Sequence, residues 1–114
     1  MVEMTNAYIS DMLSQGVVEP CNGPWASNLV MVVKKNGKRR VCTDFRRLNK
    51  MTIKDSYPSP DIKQTLAQLS GKKYFSSFDA QSGCWQIPIE ENSRDYTGFV
   101  TSTGYYRWVR MPLD

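Results

Sequence analysis

The stretch LVMVVKKNGKRRVCTD, Leu29 to Asp44, decides the fold. An apolar run, Leu29 to Val33, breaks into KKNGK and resumes as Arg39 to Asp44. Two strand-forming runs joined by an Asn-Gly turn make a β-hairpin. Two registers are open. If Asn36-Gly37 alone forms the tip, Lys34 pairs with Arg39 and Arg40 faces the other way. If Lys35-Asn36-Gly37 is a three-residue tip with Gly37 left-handed, Lys34 pairs with Lys38. Then Lys34, Lys38 and Arg40 share one face. The second register makes a basic claw and puts the glycine where such a loop needs it.

On the N-terminal side, Thr5 to Gln15 reads as a helix. Tyr8, Ile9, Met12 and Leu13 share a face, Thr5 or Asn6 caps the start and Gly16 stops it. VVEPCNGPWAS, with two prolines and a glycine, reads as extended loop. On the C-terminal side, Phe45 to Lys50 is a transition with a turn of helix, leading into MTIKDSYPSP. Ser59 caps a helix with Pro60 in its first turn; Ile62, Leu66 and Leu69 form its apolar stripe and Gly71 ends it. Tyr74 to Ala80 reads as a strand, Gln81 to Cys84 as a turn and Trp85 to Ile89 as another strand. Tyr96 to Thr101 and Tyr105 to Met111 form a hairpin around Ser102-Thr103-Gly104. Irregularly mixed helices and hairpins imply an α+β fold of antiparallel strands with two or three helices, not a doubly wound one. No repeat, low-complexity tract or linker divides it.

The 114 residues suffice for one domain with one core. No apolar run reaches membrane-spanning length and no signal peptide opens the chain, so no membrane partner and an intracellular, cytoplasmic or nuclear location are expected. Cys21, Cys42 and Cys84 are odd in number and far apart, which argues against a disulfide framework or a zinc ribbon. With no histidine, a Ser-His-Asp triad and any His-containing zinc site are excluded. The net charge of +4 permits a polyanionic partner without requiring one. The basic residues crowd between Lys34 and Lys50; from charge alone, a solvated face and a phosphate site fit equally. Asp79, in YFSSFDAQSGCWQI, is a lone acid at a strand end: a turn residue, a helix cap or a metal ligand.

Three blocks in order resemble one family. PWASNLVMVVKKNGKRRVCTDFRRLNKMTIKDSYPSP resembles the fingers of reverse transcriptases from gypsy-type long-terminal-repeat retrotransposons. LSGKKYFSSFDAQSGCWQIPI resembles their first palm motif, and TGFVTSTGYYRWVRMP the palm hairpin that follows. The resemblance implies a fingers-like part over about 1–73 and the first part of a palm over 74–114. It implies that Asp79 is the first catalytic aspartate and a ligand, with the Ala80 carbonyl, of Mg2+ or Mn2+. Lys34 and Arg40 match residues that grip the triphosphate of an incoming dNTP. Ser82 and Gly83 match positions whose backbone N–H groups face the same phosphates. Asp44, Arg46 and Asn49 match a segment beside the template, so the implied partners are an RNA or DNA template-primer and a nucleotide. Simpler readings stand beside these: Asp44 pairs only with Arg46 or Arg47, and Trp25, Trp85 and Trp108 are packing residues. In YYRW, Tyr105 to Trp108, half the side chains face the core.

The chain departs from the family in three places. The paired aspartates of the second palm motif do not occur, and one carboxylate does not organise two metal ions. Cys84 stands where the family has a bulky aromatic that packs under the sugar and rejects a 2′-hydroxyl. Leu113 and Asp114 replace the family's Phe-Gly. The expected function is a fragment of, or a protein derived from, a retrotransposon polymerase, inactive alone. The alternative is a repurposed binding or assembly module that meets a protein partner or a second copy, most simply as a dimer, through exposed palm surface.

Overall fold

The computed structural model describes the backbone of residues 2–112 and the side chains of residues 5–112. Leu113 and Asp114 lie outside the described residues. The elements run α1 (Val2–Ser14), β1 (Val18–Pro20), β2 (Ser27–Val33), β3 (Arg39–Thr43), α2 (Arg46–Met51), α3 (Ile62–Ala67), β4 (Phe99–Val100) and β5 (Tyr105–Trp108). The strands form one mixed sheet in the order β1-β5-β4-β2-β3, antiparallel except where β2 runs parallel to β4. The α+β class expected from the sequence is what forms.

Helix α1 begins at Val2, ahead of the caps expected at Thr5 or Asn6. Its end is as expected. Gly16 takes φ +71° and donates to the Leu13 carbonyl, while Val17 N–H reaches back to Met12. This pair of bonds is the Schellman arrangement, and it brings the apolar residue after the glycine onto the helix's last turn. Met12 and Val17 are both buried. They join Ile9, Val18, Phe99 and Trp108 in the core.

Strand β1 corrects the loop reading of VVEP. Val18, Glu19 and Pro20 pair with Trp108, Arg107 and Tyr106. The proline is tolerated because β1 is an edge of the sheet, where one side of the strand owes no N–H to a neighbour. Arg107 then bridges Glu19, its cross-strand partner, at 2.6 Å and Asp95 at 2.7 Å. The hairpin β4–β5 forms, with Phe99 opposite Tyr106 and Val100 opposite Tyr105, but its first strand is shorter than the expected Tyr96 to Thr101, because Tyr96 and Thr97 close a 3-10 helix that runs Glu91–Thr97, and its second ends at Trp108 rather than Met111. Tyr106 and Trp108 both pack on the Phe99 ring, while Arg107 lies on the other face. Trp108 and Trp85 are thus packing residues, as expected.

Three local readings fail. Helix α3 is capped by Asp61, whose carboxylate accepts from Lys63 N–H, and not by Ser59. Residues 74–80 form no strand, and 85–89 hold a short turn of helix at Cys84–Gln86 plus one bridge, Pro88 to Arg110. A strand exists only where a neighbour completes its backbone hydrogen bonds. None stands beside 74–80 among the described residues. The whole stretch 49–82 is exposed. Its apolar side chains, among them Ile53 (95%), Tyr74 (94%) and Phe78 (94%), face outward.

Trp108 ties the two halves of the sheet together. Its indole Nε1–H donates to Thr43 Oγ1 at 3.2 Å in the buried interior. Thr43→Val keeps the side-chain volume and removes the acceptor. Leaving that N–H unpaired is expected to cost about 1–3 kcal/mol. The check is a fall in the urea midpoint with an unchanged m-value; an unmoved midpoint would show that the bond contributes nothing.

Candidate functional site

The β2–β3 hairpin adopts the three-residue tip. Val33 pairs with Arg39 and Val32 with Arg40. Lys34 N–H donates to the Lys38 carbonyl at 2.7 Å, and Gly37 N–H to Lys34 at 3.0 Å. Gly37 sits at φ +80°, a conformation that costs it nothing and would strain a side chain. Asn36 Oδ1 accepts from Lys38 N–H and pins the turn.

Alternation then puts Val30, Val32 and Lys34 on one face, opposite Cys42, Arg40 and Lys38. Val30, Val32, Lys34 and Lys38 are exposed. Arg40 is half-buried, and its Nε–H lies buried without an acceptor among the described residues. Tyr8 of α1 stands nearby. Burial, with a smaller push from Cys42, raises its hydroxyl pKa, and Arg40 pulls it back.

The template-side trio divides. Asp44 accepts from Arg46 three times: from Nε at 2.9 Å, from the second guanidinium nitrogen at 2.8 Å and from the backbone N–H at 3.1 Å. The side-chain bond to Arg46, then the backbone bond, hold the Asp44 carboxyl at about 2. So Asp44 does pair with Arg46. Asn49 lies exposed on α2, its backbone N–H on the Phe45 carbonyl.

Asp44 also lines a cleft of about 610 Å³ with Trp25, Asn28, Arg47, Leu48 and Met51. Arg46 and Asn49 are not among its walls. The cation at the cleft is Arg47, which makes no ion pair among the described residues. Sequence reading passed over it because one arginine in a basic run looks like the next. The alternation of α2 held the only signal, since Arg47, Leu48 and Met51 fall on a common side at helical spacing. Trp25, read as packing, does both: it meets the Tyr96 ring edge-on at 5.3 Å and forms part of the cleft wall.

Asp79 and Ala80 precede a tight turn and are exposed. Without a strand, Asp79 is not held at a strand end as expected. Ser82 takes φ +49°, the left-handed region that a non-glycine residue enters rarely. The turn folds Gly83 back on Ala80, so that a Cβ there would sit 3.5 Å from the Ala80 methyl. The backbone N–H groups of Ser82 and Gly83 donate to no acceptor among the described residues. Successive free N–H groups in such a turn form a concavity suited to an anion. Cys84 is half-buried with a free thiol. The structure thus brings Lys34 to Arg40, and Ala80 to Gly83. No hydrogen bond or ion pair joins these two sets among the described residues.

The model of a family described as reverse transcriptase (RNA-dependent DNA polymerase) matches residues 32–113, and the chain belongs to that family. Its relatives within the family include Pol polyproteins of gypsy-type elements. It is 42% identical, over 92% of its length, to the Pol polyprotein of the Drosophila melanogaster transposon opus, and 35% identical, over 97%, to that of transposon gypsy. It spans 11% of each of those relatives. Among solved structures it is similar to the protease–reverse transcriptase of prototype foamy virus, with TM-score 0.77 at 31% identity over 91% of this chain and 14% of that one. A foamy viral protease–reverse transcriptase in complex with double-stranded DNA gives TM-score 0.79 at 30% identity, over 91% of this chain and 18% of that one. The family binds nucleic acids and uses divalent metals. No helix among the described residues is long and apolar enough to cross a membrane.

The Asp44–Arg46 pair has a pH signature. Asp44 titrates lower in the folded chain than its ordinary 3.8. The pair's contribution is therefore full above about pH 4 and is lost as pH falls toward the folded value. Carboxyl NMR should place the Asp44 midpoint near 2. Arg46→Ala should return it toward the ordinary value, and a midpoint indifferent to that substitution would remove Arg46 as the cause.

Proposed function

We propose that this chain supplies the fingers and the first part of the palm of an RNA-directed DNA polymerase, and is inactive alone. Lys34 and Arg40 grip the triphosphate of the incoming nucleotide, one as a point charge and one as a forked donor. The N–H groups of Ser82 and Gly83 face the same phosphates. The cleft beside α2, with Asp44 at its wall and Arg46 and Asn49 near it, lies on the template side. The observation that carries this reading is the hairpin register: it sets Lys34, Lys38 and Arg40 on one face of a pinned loop. Phosphoryl transfer asks a protein mainly for such positioning and charge.

The metal position does not close on these residues. Asp79 and the Ala80 carbonyl offer at most three oxygens where a divalent ion takes about six. Among the described residues no three Asp, Glu, Cys or His side chains converge. Catalysis therefore needs carboxylates from elsewhere in a larger assembly. Cys84, set where a bulky side chain would close on the sugar, leaves room for a 2′-hydroxyl.

Titration with magnesium–dATP tests the assignment. Lys34→Ala and Arg40→Ala should each weaken binding about tenfold, the loss of a charge-assisted hydrogen bond of about 1.5 kcal/mol. In the same assay ATP and dATP should bind alike, and Cys84→Tyr should favour dATP. Equal binding by all variants sinks the triphosphate reading. Primer extension by the chain alone, abolished by Asp79→Asn, would overturn its inactivity.

A second reading, a binding or assembly module, has one observation in its favour. Ile53, Tyr57, Tyr74 and Phe78 are exposed on a stretch that contributes no core residue among the described residues. Such a surface calls for a covering partner. Sedimentation should show concentration-dependent self-association that Tyr74→Ser with Phe78→Ser disperses. A monomer at every concentration would set this reading aside.

A further inference from the structure

The charge of the β2–β3 hairpin exceeds what one face needs. Lys34, Lys35, Lys38, Arg39 and Arg40 are close in sequence, and no Asp or Glu lies between Glu19 and Asp44. The chain has 15 Lys and Arg against 11 Asp and Glu, so without these five residues acids would outnumber bases. The chain's positive charge is a property of this hairpin. None of the five joins an ion pair among the described residues, and all but Arg40 are exposed.

The register divides them. Lys34, Lys38 and Arg40 occupy one face, and Arg39, opposite Val33, lies on the other. Lys35 stands at the tip. Nearer the core that second face buries Val41 and Thr43, but at the tip it projects free, with Val33 65% exposed. The turn is pinned by Asn36 and Gly37, so the two charges are held out before any ligand arrives.

We propose that Arg39 and Lys35 form a second phosphate contact, which takes the backbone of a nucleic-acid strand on the side of the hairpin away from the triphosphate face. The division of labour rests on the function proposed above; the second contact itself rests on the charge and the register. Lys35 lies two residues beyond Val33, the cross-strand partner of Arg39, and an arginine fork with a lysine so placed suits successive phosphates, whose charges repeat along a strand. Because β3 is the outer edge of the sheet, basic residues on it would also keep a second sheet from pairing there. That role accounts for Arg39 but not for Lys35, which lies outside the strand.

The test is the salt dependence of binding of a labelled oligo-dT by the whole chain, read by fluorescence anisotropy between about 50 and 200 mM salt. Lys35→Ala with Arg39→Ala should flatten the slope of log K against log salt by about 1.4, the value for two lost single-strand phosphate contacts. Far-UV circular dichroism, the urea midpoint and magnesium–dATP binding should not change. A slope equal to wild type overturns the proposal, as does an equal slope with increased self-association, which marks edge protection alone. If Lys34→Ala with Arg40→Ala leaves dATP binding intact while the Lys35/Arg39 variant still flattens the slope, the triphosphate reading fails and the second contact stands.

Discussion

Trp108 is the residue through which the two halves of the sheet hold each other. Its ring packs on Phe99, its backbone N–H donates to Thr97 Oγ1 at 2.9 Å, and its indole N–H crosses to Thr43 on β3. The neighbouring Val109 N–H continues the pairing onto Val17, just after the turn that ends α1. One side chain and its flanking backbone therefore bind the N-terminal helix, the β4–β5 hairpin and the basic hairpin. The far end of β3 can carry unbalanced charge because this near end is anchored in apolar contact. Repulsion at the tip, worth a fraction of a kcal/mol per surface pair, works against burial of Phe99, Met12 and Ile9, each of which is worth about 2 kcal/mol or more.

The same anchoring explains what is left outside. Every core residue comes from the first part of the chain, up to Cys42, or from the last, from Phe99 onward. The stretch 49–82 contributes none. Helix α3 has a cap and a regular stripe of Ile62 and Leu66, yet the stripe faces outward. Six residues of helix gain little from propensity alone and depend on a packed face for stability. Among the described residues nothing packs on this apolar stripe.

How much of this was legible follows from how local each cause is. The Gly37 loop could be read because its register depends on residues inside the loop, and the two candidates differed in where they placed one glycine. The Gly16 stop and the β4–β5 hairpin were legible for the same reason. Residues 74–80 misled because a strand-like pattern reports only the willingness of a segment to pair, and the neighbour it needs is not encoded nearby. Strand β1 was hidden by Pro20, a residue that argues against a central strand and is neutral at an edge. Which of those applied depended on β5, some ninety residues later. The common face of Lys34 and Arg40 was legible through the loop. Arg47 was not, because its distinction from Arg46 is electrostatic: Asp44 takes one guanidinium and leaves the other.

That choice by Asp44 shapes the whole basic surface. A single carboxylate follows the five cations of the hairpin, and it is spent on the exposed Arg46. Asp44 holds Arg46 in three hydrogen bonds, and Arg47 stands at the cleft wall with no ion pair among the described residues. The backbone bond from Arg46 N–H sets the Asp44 carboxylate beside the start of α2, where the Arg46 side chain completes a fork on the same two oxygens. Local hydrogen-bond geometry, rather than the number of charges, thus goes with which arginine Asp44 takes.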